Sequence, residues 1–228
     1  FDYAFDSNIP YSGFALLHSI SLSDDGNVFA ISRTGNAEAS VWSYDGSSWS
    51  KKGLDMTCGT NEEISEVSLS SDGNKIIIGK PNSGSAGVVC VYTWNDPTPN
   101  FPNGNWSLKG SNLIGTSHDI GRSVDISDDG NTIAFSRNDK FIQKHSNTNI
   151  NSLVCGGSSN VDFPDVKVYK WENSSWTDSY TLVQDHNNDC IGHKVRLNDA
   201  GDVLAYSSPG HMGIDDDSNT TGNAGQVK

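Results

Sequence analysis

The chain has 228 residues, a formal net charge of −13 and a hydrophobic content of 34%. This acidity excludes the basic surface that a nucleic-acid-binding protein needs to neutralise phosphates. No apolar run reaches the roughly 18 residues of a membrane-spanning helix, so none is predicted. The chain begins at Phe1 rather than Met, and we expect it to be a processed or partial protein.

One sequence motif occurs four times along the chain, in residues 20–31, 67–78, 124–135 and 195–206. Each copy has two runs of alternating apolar residues on either side of a polar tip that contains glycine. Alternation with a period of two predicts β-strands. The tip reads Asp-Gly or Ala-Gly, and glycine tolerates the positive φ of a tight turn. Each copy is therefore predicted to be a β-hairpin.

A second motif, rich in aromatic residues, follows the first three copies at residues 39–44, 89–94 and 166–171. A short polar segment and another tryptophan come after it, so it predicts a second hairpin. Two hairpins make a four-stranded sheet, and such sheets repeated around an axis are the blades of a β-propeller. The six tryptophans are predicted to pack between blades rather than to bind sugars: Trp42, Trp49, Trp94, Trp106, Trp171 and Trp176.

The predicted fold is thus an all-β propeller of four-stranded antiparallel blades in one domain, residues 1–228. The approximate repeats are 14–57, 58–110, 111–181 and an incomplete 182–228. About three and a half blades cannot close a ring. We expect a complete ring of seven blades, closed by other segments or by self-assembly. Long insertions are predicted at the blade rims, near 95–105 and 138–164.

Several segments around the hairpins resemble a known repeat. They read Ile120-Gly121-Arg122-Ser123-Val124, Gly79-Lys80-Pro81, Ala86-Gly87-Val88-Val89 and Ala224-Gly225-Gln226-Val227. These segments resemble the FG-GAP repeat of integrin-α-type β-propellers, in the variant with Tyr-x-Trp strands found in secreted and surface proteins of microbes and algae. The resemblance implies an extracellular or cell-surface location and a role in adhesion or recognition.

The calcium loop of that family is shortened here to Ser-Asp-Asp-Gly-Asn. A calcium ion needs six to eight oxygen ligands from spaced positions, and this short turn cannot supply them. The aspartates of the tips are therefore predicted to form turns by bonding their own backbone: Asp24, Asp25, Asp72, Asp128 and Asp129.

One further segment is a candidate metal site. Asp215, Asp217 and Asn219 lie at alternate positions, as the ligands of oxygen-rich Ca²⁺ loops do. No bidentate glutamate follows them, and Thr220 stands where such loops carry glycine. We favour the alternative interpretation, a solvated acidic loop.

The cysteines and sequons give candidate covalent modifications. Cys58, Cys90, Cys155 and Cys190 allow three pairings, which the sequence leaves open. We predict disulfide bonding in an oxidising compartment, with isolated buried thiols as the alternative. Asn105, Asn173 and Asn219 begin glycosylation sequons, although chance alone yields a few such triplets in a chain this rich in Asn and Ser.

No catalytic residue is predicted. The chain has no HExxH, no P-loop, no dinucleotide-binding glycine pattern and no GxSxG elbow. We expect a non-enzymatic extracellular or surface β-propeller for adhesion, recognition or structural assembly, such as a surface filament or cell-coat subunit. Its rim loops would bind protein or glycan partners. The alternatives are a carbohydrate-active propeller enzyme (a glycosidase or lyase) and a carbohydrate-binding module.

Overall fold

The computed structural model describes residues 17–33, 38–59, 64–81, 86–115, 120–137, 165–183, 191–208 and 226–227. These residues form four antiparallel sheets that follow one another along the chain. Within the same residues, no helix has the length and apolar character needed to cross a membrane.

The strands of each sheet pair largely with their neighbours in sequence. The first sheet contains β1 (Leu17–Leu22), β2 (Val28–Arg33), β3 (Glu38–Tyr44), β4 (Trp49–Lys51) and β5 (Met56–Thr57). The second contains β6 (Glu66–Leu69), β7 (Lys75–Lys80), β8 (Val88–Asn95), β9 (Asn105–Leu108) and β10 (Leu113–Ile114). The third contains β11 (Ile120–Ile126), β12 (Thr132–Arg137), β13 (Asp165–Glu172) and β14 (Ser175–Val183). The fourth contains β15 (Val195–Leu197), β16 (Leu204–Ser208) and β17 (Gln226–Val227).

The sheets stack face to face as blades, and apolar clusters fill the three spaces between them. The cluster between the first two blades includes Val41 and Ile78, and the next includes Val89 and Phe135. Val166 and Val195 belong to the cluster between the third and fourth blades. The first strands of successive blades, β1, β6, β11 and β15, lie side by side as inner strands. The predicted architecture of antiparallel four-stranded blades is confirmed.

The tip of the first hairpin is a serine-capped turn. The Ser23 amide donates to the Val28 carbonyl (2.8 Å), and the Gly26 amide donates to the Ser23 carbonyl (3.0 Å). Asp25 accepts from the Asn27 amide (2.9 Å) and the Ser23 hydroxyl (2.7 Å), and these bonds lower its pKa. Gly26 alone takes the positive φ, +72°. The aspartate therefore holds the turn through its side chain, as predicted.

The other tips reproduce this turn, the fourth with different residues. Asp72 and Asp129 accept the same bonds in the second and third blades. In the fourth blade Ala200 stands at the aspartate position, and Asn198, at the position of Ser23, accepts from both the Asp202 and Val203 amides at 3.0 and 2.9 Å. The carboxylate of Asp24, predicted to bond its own turn, instead accepts from the Ser71 hydroxyl of the next blade (2.8 Å).

A disulfide joins the first two blades. It links Cys58, just after β5, to Cys90 in the middle of β8, and both residues are buried. This bond realises one of the pairings that the sequence left open. Cys155 and Cys190 lie outside the described residues, so for these two cysteines disulfide bonding stays a prediction.

Two equivalent glycines allow a matched test of blade packing. A Cβ added at Gly73 (φ +62°) would lie 2.6 Å from Val28 Cβ of the first blade, whereas one added at Gly26 meets nothing within 4 Å. Gly26→Ala should therefore cost only the strain of positive φ, about 1 kcal/mol. Gly73→Ala should cost a further 1–3 kcal/mol or so, from overpacking. Urea unfolding of both variants measures the difference, and equal losses would contradict the packing described.

Removal of the disulfide tests its contribution to stability. The bond closes a loop with a sequence separation of 32 residues. Loop-closure entropy then predicts that the Cys58→Ser/Cys90→Ser variant loses roughly 3–4 kcal/mol of unfolding free energy. A reducing agent should lower the urea midpoint of the wild type and leave that of the double variant unchanged. An insensitive wild-type protein would show that the bond does not stabilise the fold.

Candidate functional site

A groove of about 730 Å³ lies on the outer rim, between the first and second blades. One side is formed by the segment after β4, where Leu54 is exposed. The other side is the connection between β8 and β9, residues 96–104, which is longer than the corresponding turns 45–48 and 172–175. The second blade thus supplies a longer wall here than the first and third blades do at the corresponding turns.

Two successive Pro-Asn turns give this connection a defined shape. Thr98 and Phe101 exchange two backbone hydrogen bonds, at 2.9 and 3.0 Å, around Pro99 and Asn100. The Gly104 amide then donates to the Phe101 carbonyl (2.9 Å). Proline fixes φ at the second position of each turn. Phe101 is consequently held in place while its side chain remains 51% exposed.

Trp94 lines the groove and belongs to a pair of tryptophans that the preceding blade holds. The rings of Trp94 and Trp106 meet edge to face, with centroids 5.3 Å apart. Trp106 Nε1 donates to the Lys52 carbonyl (2.7 Å), and Lys52 Nζ lies over the Trp94 ring and donates to Asn74 Oδ1 (2.7 Å). Burial lowers the pKa of Lys52. A Cβ at Gly53 would lie 2.7 Å from the Trp94 ring, so only glycine fits.

The same lysine clasp, a Lys-Gly pair of one blade bound to two tryptophans of the next, joins the second and third blades. Trp176 Nε1 donates to the Lys109 carbonyl (2.7 Å), and Lys109 Nζ lies 5.1 Å from the Trp171 ring centroid and 5.2 Å from that of Trp176. Burial, with repulsion from Lys75, lowers the pKa of Lys109 to about 8. Its recurrence marks the clasp as part of the scaffold, in keeping with the predicted packing of tryptophans between blades.

Charged groups also meet along the inner strands, around the propeller axis. Glu66, buried on β6, accepts from the Val124 amide of the third blade (3.0 Å). Its other oxygen accepts from Lys194 Nζ (2.9 Å) and Arg196 Nη2 (3.0 Å) of the fourth blade. Burial alone would raise the pKa of Glu66, but hydrogen bonds from Ser123, Lys194 and Arg196 outweigh it and lower the pKa.

Glu66 belongs to a series of side chains that accept from backbone amides of the next blade. Ser19 and Ser21 accept from the Val67 and Leu69 amides, at 3.3 and 2.9 Å. In the third blade, Ser123 and Asp125 accept from the Val195 and Leu197 amides, at 3.1 and 2.7 Å. We call these five side chains the acceptor ladder: Ser19, Ser21, Glu66, Ser123 and Asp125.

These bonds define what the axial carboxylates can do chemically. Glu66 and Asp125 already accept from backbone amides, and Asp125 accepts from the Ser68 hydroxyl as well (2.7 Å). The lowered pKa of Glu66 keeps that carboxylate ionised, so it is poorly suited to act as a general acid. Among the described residues, no three His, Cys, Asp or Glu side chains are grouped to hold a metal ion.

The structure separates the predicted modification sites. Asn105 begins β9 and is a half-buried part of the groove. Asn173 lies in the turn between β13 and β14, exposed and with φ of 50°. Asn219 and the candidate metal ligands Asp215 and Asp217 lie outside the described residues, and the predictions for them stay predictions.

Neither the lysine clasp nor the acceptor ladder was predicted from the sequence. The lysine clasp had a readable signal, because Lys-Gly follows a tryptophan at the same interval in Trp49-Ser50-Lys51-Lys52-Gly53 and Trp106-Ser107-Leu108-Lys109-Gly110. The acceptor ladder had a weaker signal, namely Ser, Asp or Glu at two alternating positions of the first three inner strands.

Comparisons with known proteins support the fold. No protein-family model matches the chain, and neither does any curated protein sequence. The β-propeller domain of Cps50 (Swd1) from Myceliophteria thermophila matches with a TM-score of 0.51 and 9% identity, over 84% of this chain and 50% of that one. Sqt1 from Chaetomium thermophilum matches with a TM-score of 0.53 and 14% identity, over 85% of this chain and 41% of that one.

The chain thus spans half or less of the length of these two structures. At such low identity the likeness establishes the fold alone, and that fold is a β-propeller. The finer resemblance to FG-GAP repeats stays a prediction.

Neutralising Glu66 should weaken the contact across the axis. Glu66→Gln removes the charge that binds two cations and a buried amide, and should cost about 1–3 kcal/mol at pH 7. Because the pKa of Glu66 is lowered on folding, its contribution is full above the unfolded-state pKa and disappears as the pH falls through the folded-state value. The variant should therefore lose less stability than the wild type on acidification from pH 7 to about 3.

The matched control is Glu172→Gln, an exposed carboxylate at the end of β13. Urea midpoints at both pH values should be close to wild type for this variant. A Glu66→Gln protein with the acid sensitivity of the wild type would show that the ion pairs do not contribute.

Proposed function

We propose that this chain is part of a non-enzymatic propeller of the extracellular or cell-surface kind, which recognises partners through the rim groove. The observation that carries the proposal is the pair of Pro-Asn turns that hold Phe101 exposed beside Leu54. An exposed aromatic ring on a defined backbone loses little conformational entropy when it binds a partner. The rigid clasp beneath it supplies a fixed platform.

The location outside the cell is supported by the disulfide. Cys58 and Cys90 are both buried and bonded across two blades. Such structural disulfides persist in oxidising compartments and are rare where thiols are kept reduced. The exposed turn position of Asn173 would also leave room for an N-linked glycan.

The non-enzymatic character is supported by the state of the buried carboxylates. Glu66 and Asp125 serve the contacts between blades, and Asp165 forms an ion pair with Arg137 at 2.7 Å. A glycosidase needs two carboxylates flanking an open substrate site. These three are instead committed to the scaffold.

We further infer that the repeat is of the FG-GAP kind. Support comes from Gly79, which packs so closely on the third blade that an added Cβ would lie 2.0 Å from the Gly121 carbonyl oxygen. Both glycines lie in segments that carry the resemblance.

A carbohydrate ligand is the second candidate, favoured by the composition of the groove. Phe101 and Trp94 offer aromatic rings, and Asn100, Asn103 and Asn105 surround them with amides. Pyranose rings stack on aromatic faces while amides bond their hydroxyls, and this pairing of one apolar face with polar edges suits a sugar.

Binding of a panel of neutral and acidic oligosaccharides to the intact protein tests both candidates. If the groove binds sugars, Phe101→Ala should weaken binding by about tenfold or more, the loss typical of an aromatic anchor. Tyr180→Ala is the matched control, because Tyr180 is 55% exposed on β14, away from the groove. Equal losses in both variants would contradict a role for the groove.

The same assay separates the remaining functions. Cleaved or unsaturated sugar products would overturn the non-enzymatic proposal. Absence of any binding would reject the carbohydrate candidate and leave a protein partner as the ligand of the groove.

A further inference from the structure

The inner strand of the first blade exposes apolar side chains whose counterparts in later blades are buried or half-buried. Ile20 is 72% exposed and Leu22 is 59% exposed. Five of the six residues at their positions in later blades pack against a preceding blade and are buried: Val67, Leu69, Val124, Ile126 and Val195. The sixth, Leu197, is half-buried against the cluster between the third and fourth blades. This difference identifies the outward side of the first blade as a surface with the composition of a blade interface.

Backbone register extends the comparison. The Val67 and Leu69 amides donate to acceptor-ladder hydroxyls of the preceding blade. The amides of Ile20 and Leu22 occupy the same positions relative to their own hairpin. Their N–H groups therefore lie on the free edge of the inner strand, which faces the axis.

The hairpin tip of the first blade is open as well. A Cβ added at Gly73, Gly130 or Gly201 would meet a side chain of the preceding blade within 3 Å. One added at Gly26 would meet nothing within 4 Å.

The outer strands of the first blade carry the receiving half of a lysine clasp. Tyr44 and Trp49 form a ring pair with centroids 5.2 Å apart, at the positions that Trp94 and Trp106 hold in the second blade. Tyr44 is itself exposed. Between these points the face is shielded by its own aromatics, because Phe29 contacts both Trp42 and Trp49.

Trp42 carries an unsatisfied donor on this face. Its buried Nε1 has no hydrogen-bond partner within the described residues. Tyr92, at the same position in the second blade, donates its hydroxyl to the Thr57 carbonyl of the preceding blade. A buried N–H without a hydrogen-bond partner destabilises the fold. In the second blade the equivalent donor, the Tyr92 hydroxyl, is satisfied by a carbonyl of the neighbouring blade.

We propose that this face of the first blade binds a further blade of the same repeat type. That blade carries Ser, Thr, Asp or Glu at two alternating positions of its inner strand, and Lys-Gly after its outer strand. The two acceptor side chains of the added blade accept hydrogen bonds from the Ile20 and Leu22 amides, and its lysine lies over the Tyr44 and Trp49 rings. A backbone carbonyl in its last strand, at the position of Thr57 in the first blade, accepts from Trp42 Nε1.

Hydrogen-bonding chemistry disfavours a second copy of this chain as the occupant. In a head-to-tail pair the fourth blade would face the first. Its inner strand has Lys194 and Arg196 at the two acceptor positions, and neither side chain can accept a hydrogen bond. Both already donate to Glu66. The inference does not depend on the function proposed for the rim groove.

A fusion that retains the full chain tests the proposal. The probe is a copy of residues 64–115, attached ahead of the 228-residue chain by a flexible glycine-serine linker. This blade meets the stated requirements through Glu66, Ser68 and Lys109-Gly110. Hydrogen exchange at the Ile20 and Leu22 amides of the full chain should slow by about tenfold or more relative to the unfused protein, because docking closes these amides to solvent.

The matched control changes only the appended copy, by Glu66→Lys and Ser68→Arg, so that it carries cations as the fourth blade does. Protection of the two amides should then be lost, while the Val67 and Leu69 amides of the full chain stay protected in both fusions. Equal protection in the two fusions would overturn the requirement for acceptors.

A second probe guards against failure of one appended copy to fold. It carries residues 17–59, with Ser19, Ser21 and Lys52-Gly53, in the same place, and the same protection is expected. Absence of protection with both probes overturns the proposal. Dimerisation of the unfused chain in sedimentation, with protection of the same amides, would also overturn it by assigning the face to a second copy.

Discussion

Hydrogen bonds that the amides of one inner strand donate to side chains of the preceding inner strand hold the arc of blades together. An inner strand pairs with its own blade on one edge only, so its other amides face the axis. Leaving such an amide buried without a partner costs about 1–3 kcal/mol. The acceptor ladder satisfies these amides from the preceding blade, as Ser21 does for Leu69. Each blade thereby fixes the position of the one after it, and the apolar clusters fill the space that results.

The ladder also determines where charge can be placed in the interior. A serine satisfies an amide at no electrostatic cost, whereas Glu66 brings a buried negative charge that must be balanced. Lys194 and Arg196 supply that balance from two blades further along. They do so from positions where the other inner strands carry acceptors. Glu66 stands where the other ladder positions of its kind carry serine, and its charge is balanced by Lys194 and Arg196. These ion pairs therefore couple the second blade to the fourth, although the two are not adjacent.

The parts of this fold that the sequence predicts are local. Alternation and the Ser-x-Asp-Gly-Asn tips of the first three copies predicted the hairpins, because strand period and turn chemistry depend on residues a few positions apart. The polar contacts between inner strands were not predicted, since Ser68 and Asp125 are 57 residues apart and nothing local distinguishes them from exposed polar residues. Asp24 shows the limit clearly. It occupies a turn, yet its carboxylate accepts from the Ser71 hydroxyl of the next blade rather than from its own turn. The groove was not predicted from the sequence for the same reason, because Leu54 and Phe101 come from different blades.

The rim groove arises where the scaffold leaves the chain free to vary. Trp94 and Trp106 pair at the two ends of the β8–β9 connection, and the lysine clasp fixes both rings. An insertion between two fixed ends adds little loop-closure entropy and does not disturb the strands. In the first and third blades the same connection is a short turn, so no comparable wall forms there. The clasp therefore has a second consequence beyond stability, because it lets the second blade carry a long, shaped loop without cost to the packing between blades.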